Sequence, residues 1–159
     1  MNSVDPFRNR SRRAQSSESP RGKKRGDGLE KEKTSTTRAS AFTILVVDDE
    51  TDLREAIAFD FKRKGFTVLT AESGNSALEL VKSNKIDLVI SDIRMPDGDG
   101  IFLLEQLRLQ GIETPLIFIT GFSDYSEATC IAKGAIRVVA KPFDRKALLV
   151  LVTEQLAKR

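Results

Sequence analysis

From Ala41 to the C-terminus, short β-branched apolar runs alternate with longer amphipathic segments, and this alternation restricts the fold more than any other feature of the chain. FTILVV at 42–47 is a continuous run of the kind that forms a strand covered on both faces. ETDLREAIAFDFKRKG then spaces Leu53, Ile57 and Phe61 four apart and stops at Gly65, which predicts a helix closed by a C-terminal glycine. FTVLTA (66–71) reads as a second strand, and residues 74–84 as a helix with Ala77, Leu78 and Val81 inward. IDLVI (86–90) is a third strand and GIFLLEQLRLQ (100–110) a helix ending at Gly111. PLIFI (115–119) is a fourth strand, DYSEATCIAKG (124–134) a shorter helix, IRVVA (136–140) a fifth strand and DRKALLVLVTEQLAKR (144–159) the last helix. Strict alternation of two-sided apolar strands with helices demands a parallel sheet between two helical layers, joined by right-handed crossovers.

Residues 1–40 differ in kind. They hold 11 Lys+Arg against 5 Asp+Glu, so the basic balance of the chain resides there, whereas residues 41–159 carry 15 against 18. This tail has almost no large apolar residues and is expected to be disordered, because it cannot bury enough surface to offset its ordering entropy. Its patches RNRSRR and RGKKR suit loose attachment to nucleic acid or an anionic surface; a plain solvated extension is the duller reading. The expected organisation is a basic tail over 1–40 and one folded domain over 41–159, with no residues left for an effector domain.

Composition removes several classes of function. Histidine is absent, which excludes a Ser/His/Asp triad, a His-ligated zinc and a phosphohistidine carrier. Cys130 is the single cysteine, so no intramolecular disulfide forms and a reducing, cytoplasmic compartment is expected. No apolar stretch approaches the roughly 18–20 residues of a membrane span, and no secretory signal opens the chain.

In open α/β sheets, ligands bind beyond the carboxyl ends of the strands. Here strand 1 is followed by Asp48 and Asp49, strand 3 by Ser91 and Asp92, strand 4 by Thr120 and Gly121, and strand 5 by Ala140 and Lys141. If strands 1 and 3 are neighbours, the three carboxylates converge, and all-oxygen ligation without Cys or His favours a hard cation, Mg2+ before Zn2+. Such an ion leaves coordination for a phosphate. Lys141 would then pair with a carboxylate at rest and with a phosphoryl oxygen afterwards, Thr120 would donate its hydroxyl to that oxygen, and Asp92 would be the nucleophile. Within SDIRMPDGDG, Asp97 and Asp99 lie among turn formers, where Asp is common for backbone reasons; Asp99 reads as a helix N-cap and Ser73 as another.

Taken together, VVDDE, SDIRMPDGDG, ITG and AKPF, each at a strand end and in this order, closely resemble the receiver domain of two-component response regulators over about residues 42–157. The resemblance implies a flavodoxin-like (βα)5 three-layer sandwich with sheet order 2-1-3-4-5, an order carried over from the family rather than deduced. It implies that Asp92 accepts a phosphoryl group from the phosphohistidine of a partner histidine kinase or phosphotransfer protein, so the missing histidine belongs to the partner. It further implies Mg2+ held by Asp49, Asp92 and the backbone carbonyl of Arg94, with Asp48 acting largely through water, and phosphoryl oxygens bound by Thr120 and Lys141. Pro142 would follow Lys141 through a cis peptide. Output would be phosphorylation-dependent protein binding by a stand-alone regulator, not enzyme turnover.

One position departs from that pattern. Receivers usually carry an aromatic residue three positions before the site lysine, and here it is Val138, which either alters the coupling to output or is simply a good strand residue. Arg94 and Phe122 fill positions that tune phosphoaspartate lifetime, and their bulk predicts slow self-dephosphorylation. On the last helix, Leu148, Leu151, Val152, Gln155 and Leu156 share a face, which leaves Val150 outward. That marks a candidate homodimer or output surface on helix 4, strand 5 and helix 5, although a lone exposed valine is also ordinary. The competing functions are a magnesium-dependent phosphatase with an aspartate nucleophile and a nucleic-acid-binding regulator acting through the tail. The first would need an acid where Arg94 stands.

Overall fold

The structure, a computed structural model, describes residues 41–121 and 125–159; the readings made for the tail and for Phe122 lie outside them. The elements are β1 (Thr43–Val47), α1 (Thr51–Arg63), β2 (Thr67–Ala71), α2 (Gly74–Ser83), β3 (Leu88–Ser91), α3 (Gly100–Leu109), β4 (Leu116–Thr120), α4 (Glu127–Ala132), β5 (Arg137–Ala140) and α5 (Arg145–Ala157). All five strands pair in parallel, in the order β2-β1-β3-β4-β5. This is the expected flavodoxin-like sandwich.

Two apolar layers flank the sheet. Leu45, Val47, Val89 and Phe118 face α2, α3 and α4 with Leu78, Leu104 and Cys130. On the other face Ile44, Val46, Ile90 and Ile119 meet Ile57 and Phe61 of α1 and Leu148 and Val152 of α5. Successive residues of one strand thus enter opposite layers, which is why the inner strands read as unbroken apolar runs. The edge strands depart from that expectation: Thr67 and Thr70 of β2 and Arg137 and Ala140 of β5 are exposed. An edge strand lacks a neighbour on one side, and helical cover thins there.

Element ends differ slightly from the sequence reading. α4 is the largest case, running only Glu127–Ala132. Ser126 caps it, accepting from the Thr129 N–H at 3.1 Å, so the helix starts after that residue; Asp124 of the expected helix lies outside the described residues. Asp99 and Ser73 cap α3 and α2 as expected.

Register sets the working edge. Val47 stands opposite both Ala71 and Ser91, so β1 and β3 end level, and the Asp92 N–H donates to the Val47 carbonyl at 2.9 Å. At the other end of the sheet polar groups are tied into structure. The Arg108 guanidinium donates to the carbonyls of Ile112 (2.7 Å), Thr114 (3.0 Å) and Gly134 (3.1 Å), and the buried Asp87 carboxylate accepts from the Thr43 N–H at 2.8 Å.

Candidate functional site

Level strand ends carry Asp48 and Asp92 out of the sheet side by side, with Asp49 one residue further along the chain. One carboxylate oxygen from each of Asp48, Asp49 and Asp92 lies within 4.8 Å of the other two. Asp48 and Asp92 are buried and Asp49 is exposed, so the cluster opens to solvent on the Asp49 side.

Lys141 reaches this cluster from β5. Its N–H donates to the Thr120 carbonyl at 2.9 Å, continuing the β4–β5 ladder past Ala140, and the peptide to Pro142 is cis. Its ammonium Nζ donates to Asp92 Oδ2 at 2.8 Å and to Asp48 Oδ2 at 3.2 Å. Each acid keeps a backbone donor on its other oxygen: Ile93 N–H to Asp92 Oδ1 at 2.6 Å, and Glu50 N–H to Asp48 Oδ1 at 2.9 Å. Both carboxylates are therefore fixed at two points. Backbone dipoles and one ammonium hold them where water alone would leave them mobile.

The electrostatics follow from this crowding. Burial pushes the Asp48 carboxyl above its ordinary range; the Glu50 N–H and the Lys141 charge pull it back, and Asp92 adds to the rise. Burial also works against the Lys141 ammonium, but its bond to Asp92 and the charges of Asp92 and Asp48 outweigh that and hold it above its ordinary value. Lys141 stays protonated at neutral pH. By contrast, burial raises the Cys130 thiol and keeps it unreactive.

Every predicted site residue thus falls at one edge of the sheet. Asp48, Asp49, Asp92 and Lys141 converge; Thr120 stands at the end of β4 beside Lys141; and Arg94, exposed, opens the loop after Asp92. A Cβ at Gly121 would meet Lys141 Cβ and Cδ at ordinary distances of 3.5 and 3.7 Å, so local packing does not demand glycine there. Two contributors were not foreseen. Glu50 places Oε1 3.8 Å from Lys141 Nζ at the mouth of the site, and the Arg54 guanidinium donates to the Asp48 carbonyl at 2.7 Å. The acidic run VVDDE signals the first. Nothing in the sequence signals the second, since a helical arginine six residues on has many places to point.

The profile of the response regulator receiver domain matches residues 44–153. The chain belongs to that family. As a receiver domain it is 37% identical over 114 residues to the regulatory protein AtoC of Escherichia coli (71% of this chain, 25% of that protein). It is 36% identical over 110 residues to the transcriptional regulatory protein DltR of Streptococcus agalactiae (69% and 49%). It spans a quarter to a half of the length of these relatives. Among solved structures, the receiver domain of the Francisella response regulator 1452 superposes with a TM-score of 0.69 at 31% identity, covering 73% of this chain and 97% of that one. A chain of the Borrelia burgdorferi complex of CheX and CheY with BeF3 and magnesium gives 0.66 at 31%, covering 71% of this chain and 87% of that one. No helix among the described residues is long and apolar enough to cross a membrane.

Proposed function

We propose that this receiver domain, spanning 41–159, takes a phosphoryl group on Asp92 from the phosphohistidine of a histidine kinase or phosphotransfer protein and signals through phosphorylation-dependent protein binding. The observation that carries the reading is the placement of a buried carboxylate, held on one oxygen by the Ile93 N–H, against an ammonium 2.8 Å from its other oxygen and two further acids within 4.8 Å.

The donor set fits a hard divalent cation: three carboxylates, no histidine or thiolate, and an exposed side at Asp49. Asp48, Asp49, Asp92 and the carbonyl of Arg94 would hold Mg2+, which when bound offsets the negative charge of carboxylates and phosphoryl oxygens. Asp92 attacks phosphorus, the P–N bond to the donor imidazole breaks, and the imidazole leaves with a proton. The Ile93 N–H orients the nucleophile by holding one oxygen still. Lys141 passes from Asp92 and Asp48 to a phosphoryl oxygen, so its charge is partnered before and after transfer. The Thr120 hydroxyl binds a second oxygen. The chain is a phosphoacceptor rather than a turnover enzyme, and a phosphatase reading is disfavoured by Arg94 at the position where such enzymes carry their second acid.

Incubation with Mg2+ and a small acyl phosphate, followed by intact mass, tests the assignment. The wild-type chain and Asp97→Asn gain one phosphate-sized increment, and Asp92→Asn gains none. Equal labelling of Asp92→Asn and Asp97→Asn would reject it. For output, Ile131 on α4 and Val150 on α5 are exposed on either side of β5, which supports a homodimer or partner surface there. The basic tail over 1–40 supports a second reading, with nucleic acid bound through RNRSRR and RGKKR. Salt-dependent DNA binding that vanishes when residues 1–40 are deleted would favour it.

A further inference from the structure

The loop that follows Asp92 is fastened to the N-terminus of α2, an element that contributes no residue to the acidic site. The first N–H groups of a helix lack intrahelical partners and must find others. In α2 the Gly74 N–H donates to the Gly98 carbonyl at 2.7 Å and the Asn75 N–H to the Asp97 carbonyl at 3.2 Å, while Ser73 Oγ accepts from the Ser76 N–H at 3.1 Å. The side chains repeat the connection. Asn75 Nδ2 donates to Asp97 Oδ1 at 2.8 Å, and Ser73 Oγ to Asp97 Oδ2 at a long 3.4 Å.

The fit is close. A Cβ at Gly74 would stand 2.5 Å from the Gly98 carbonyl oxygen, so only glycine lets the helix approach the loop. Asp97 has φ of 59°, a left-handed conformation that Asp and Asn adopt more readily than other non-glycine residues. At its other end the same loop is closed by the Gly100 N–H donating to the Ile93 carbonyl at 2.7 Å. Residues 93–100 are therefore pinned at both ends and at the middle, and Arg94 lies between the pins.

We propose that Asp97, gripped by Asn75, is a positioning residue that presents the Arg94 carbonyl to the cation held with Asp48, Asp49 and Asp92. This inference rests on the phosphoacceptor reading above and deepens it. Groups that orient a metal ligand from outside commonly change metal affinity by an order of magnitude or more when removed. Loss of the grip loosens one neutral oxygen ligand and leaves the carboxylates, Lys141 and Thr120 in place. Metal affinity falls, and the transfer rate at saturating metal does not.

The test is Mg2+ titration by calorimetry into the full chain and into Asn75→Ala, Asp97→Gly and Asp97→Asn, with amide hydrogen exchange of residues 94–99 read on the same samples. Asn75→Ala removes the donor without touching the loop. Asp97→Gly keeps the backbone conformation free of strain, and Asp97→Asn keeps both an acceptor and tolerance of positive φ. Expected are Mg2+ dissociation constants raised on the order of tenfold in Asn75→Ala and Asp97→Gly, faster exchange in both, and near wild-type values in Asp97→Asn. Labelling rates at saturating Mg2+ stay within about twofold of wild type. Unchanged affinity in Asn75→Ala and Asp97→Gly, with or without faster exchange, overturns the proposal. Absence of labelling at Asp92 in the wild-type chain would instead sink the phosphoacceptor reading, which the same samples decide separately.

Discussion

Asp48 is the residue in which the demands of the site conflict most openly with those of folding. It is fully buried, it faces Asp92, and burial raises its carboxyl above the ordinary 3.8. Above 3.8 the unfolded chain has already released this proton while the folded chain still holds it, so stability falls as pH rises through that window. Lys141 works in the opposite sense: its raised folded value gives a contribution that is complete below 10.5 and lost as pH climbs through the folded value. Asp48→Asn, which keeps an acceptor for the Glu50 N–H, should therefore stabilise the metal-free protein at neutral pH by about 1 kcal/mol, or about 4 °C in Tm. The gain should shrink as pH falls and the wild-type carboxyl takes up its proton, and thermal melts in chelator across the acid range would show it. A lower Tm for Asp48→Asn at pH 7 would mean that the bond from Lys141 outweighs the cost of burial. Residues of this kind were legible in the sequence because each follows directly on a strand, and strand ends are where an α/β sheet presents its chemistry. Arg54 was not, since its bond goes to a carbonyl, and a carbonyl has no residue type.

Among elements, the order of strands and helices was readable and their contacts were not. Period and composition fix where a strand lies; they are silent on which helix terminus meets which loop. The docking of α2 onto residues 97 and 98 joins segments more than twenty residues apart largely through backbone atoms, so only Gly74 and Gly98 hint at it. Gly100 shows the same closeness at the other end of the loop. A Cβ there would lie 2.2 Å from the Asp92 carbonyl oxygen and 2.8 Å from a ring carbon of Phe118. Neither neighbour yields easily, because one is the backbone of Asp92 and the other a fully buried side chain. Gly100→Ala should cost about 3 kcal/mol or more in urea unfolding. Gly111→Ala supplies the contrast: φ is 74° but open space surrounds the position, so only backbone strain of about 1 kcal/mol is expected. Equal losses in the two variants would mean that crowding at Asp92 is relieved by movement of the loop.

At the scale of the whole molecule, the sheet of the described residues divides two apolar layers and gathers Asp48, Asp49, Asp92 and Lys141 at one edge, away from the outer helix faces. Most of these faces are polar, as an amphipathic helix on a sheet requires. Phe59 on α1 and Leu109 on α3 are exposed exceptions, as are Ile131 and Val150, 43% and 56% exposed, and the last two flank β5, whose Arg137 and Ala140 are also exposed. β5 is an edge strand separated from β3 by β4 alone, and Lys141 at its end bonds Asp92 directly. Scattered apolar residues are common on monomers, and exposure alone does not make an interface. The distinguishing test is Val150→Glu. No packed contact is lost, so its stability should match wild type within about 0.5 kcal/mol. If the face mediates self-association, the phosphorylated wild-type chain should sediment as a dimer and phosphorylated Val150→Glu as a monomer, with labelling at Asp92 equal in both. Identical sedimentation would remove the homodimer from this face. Val138, inside the same strand, packs against the layer that holds Phe118 and has no ring to turn, so the usual aromatic coupling to this face is missing in any case.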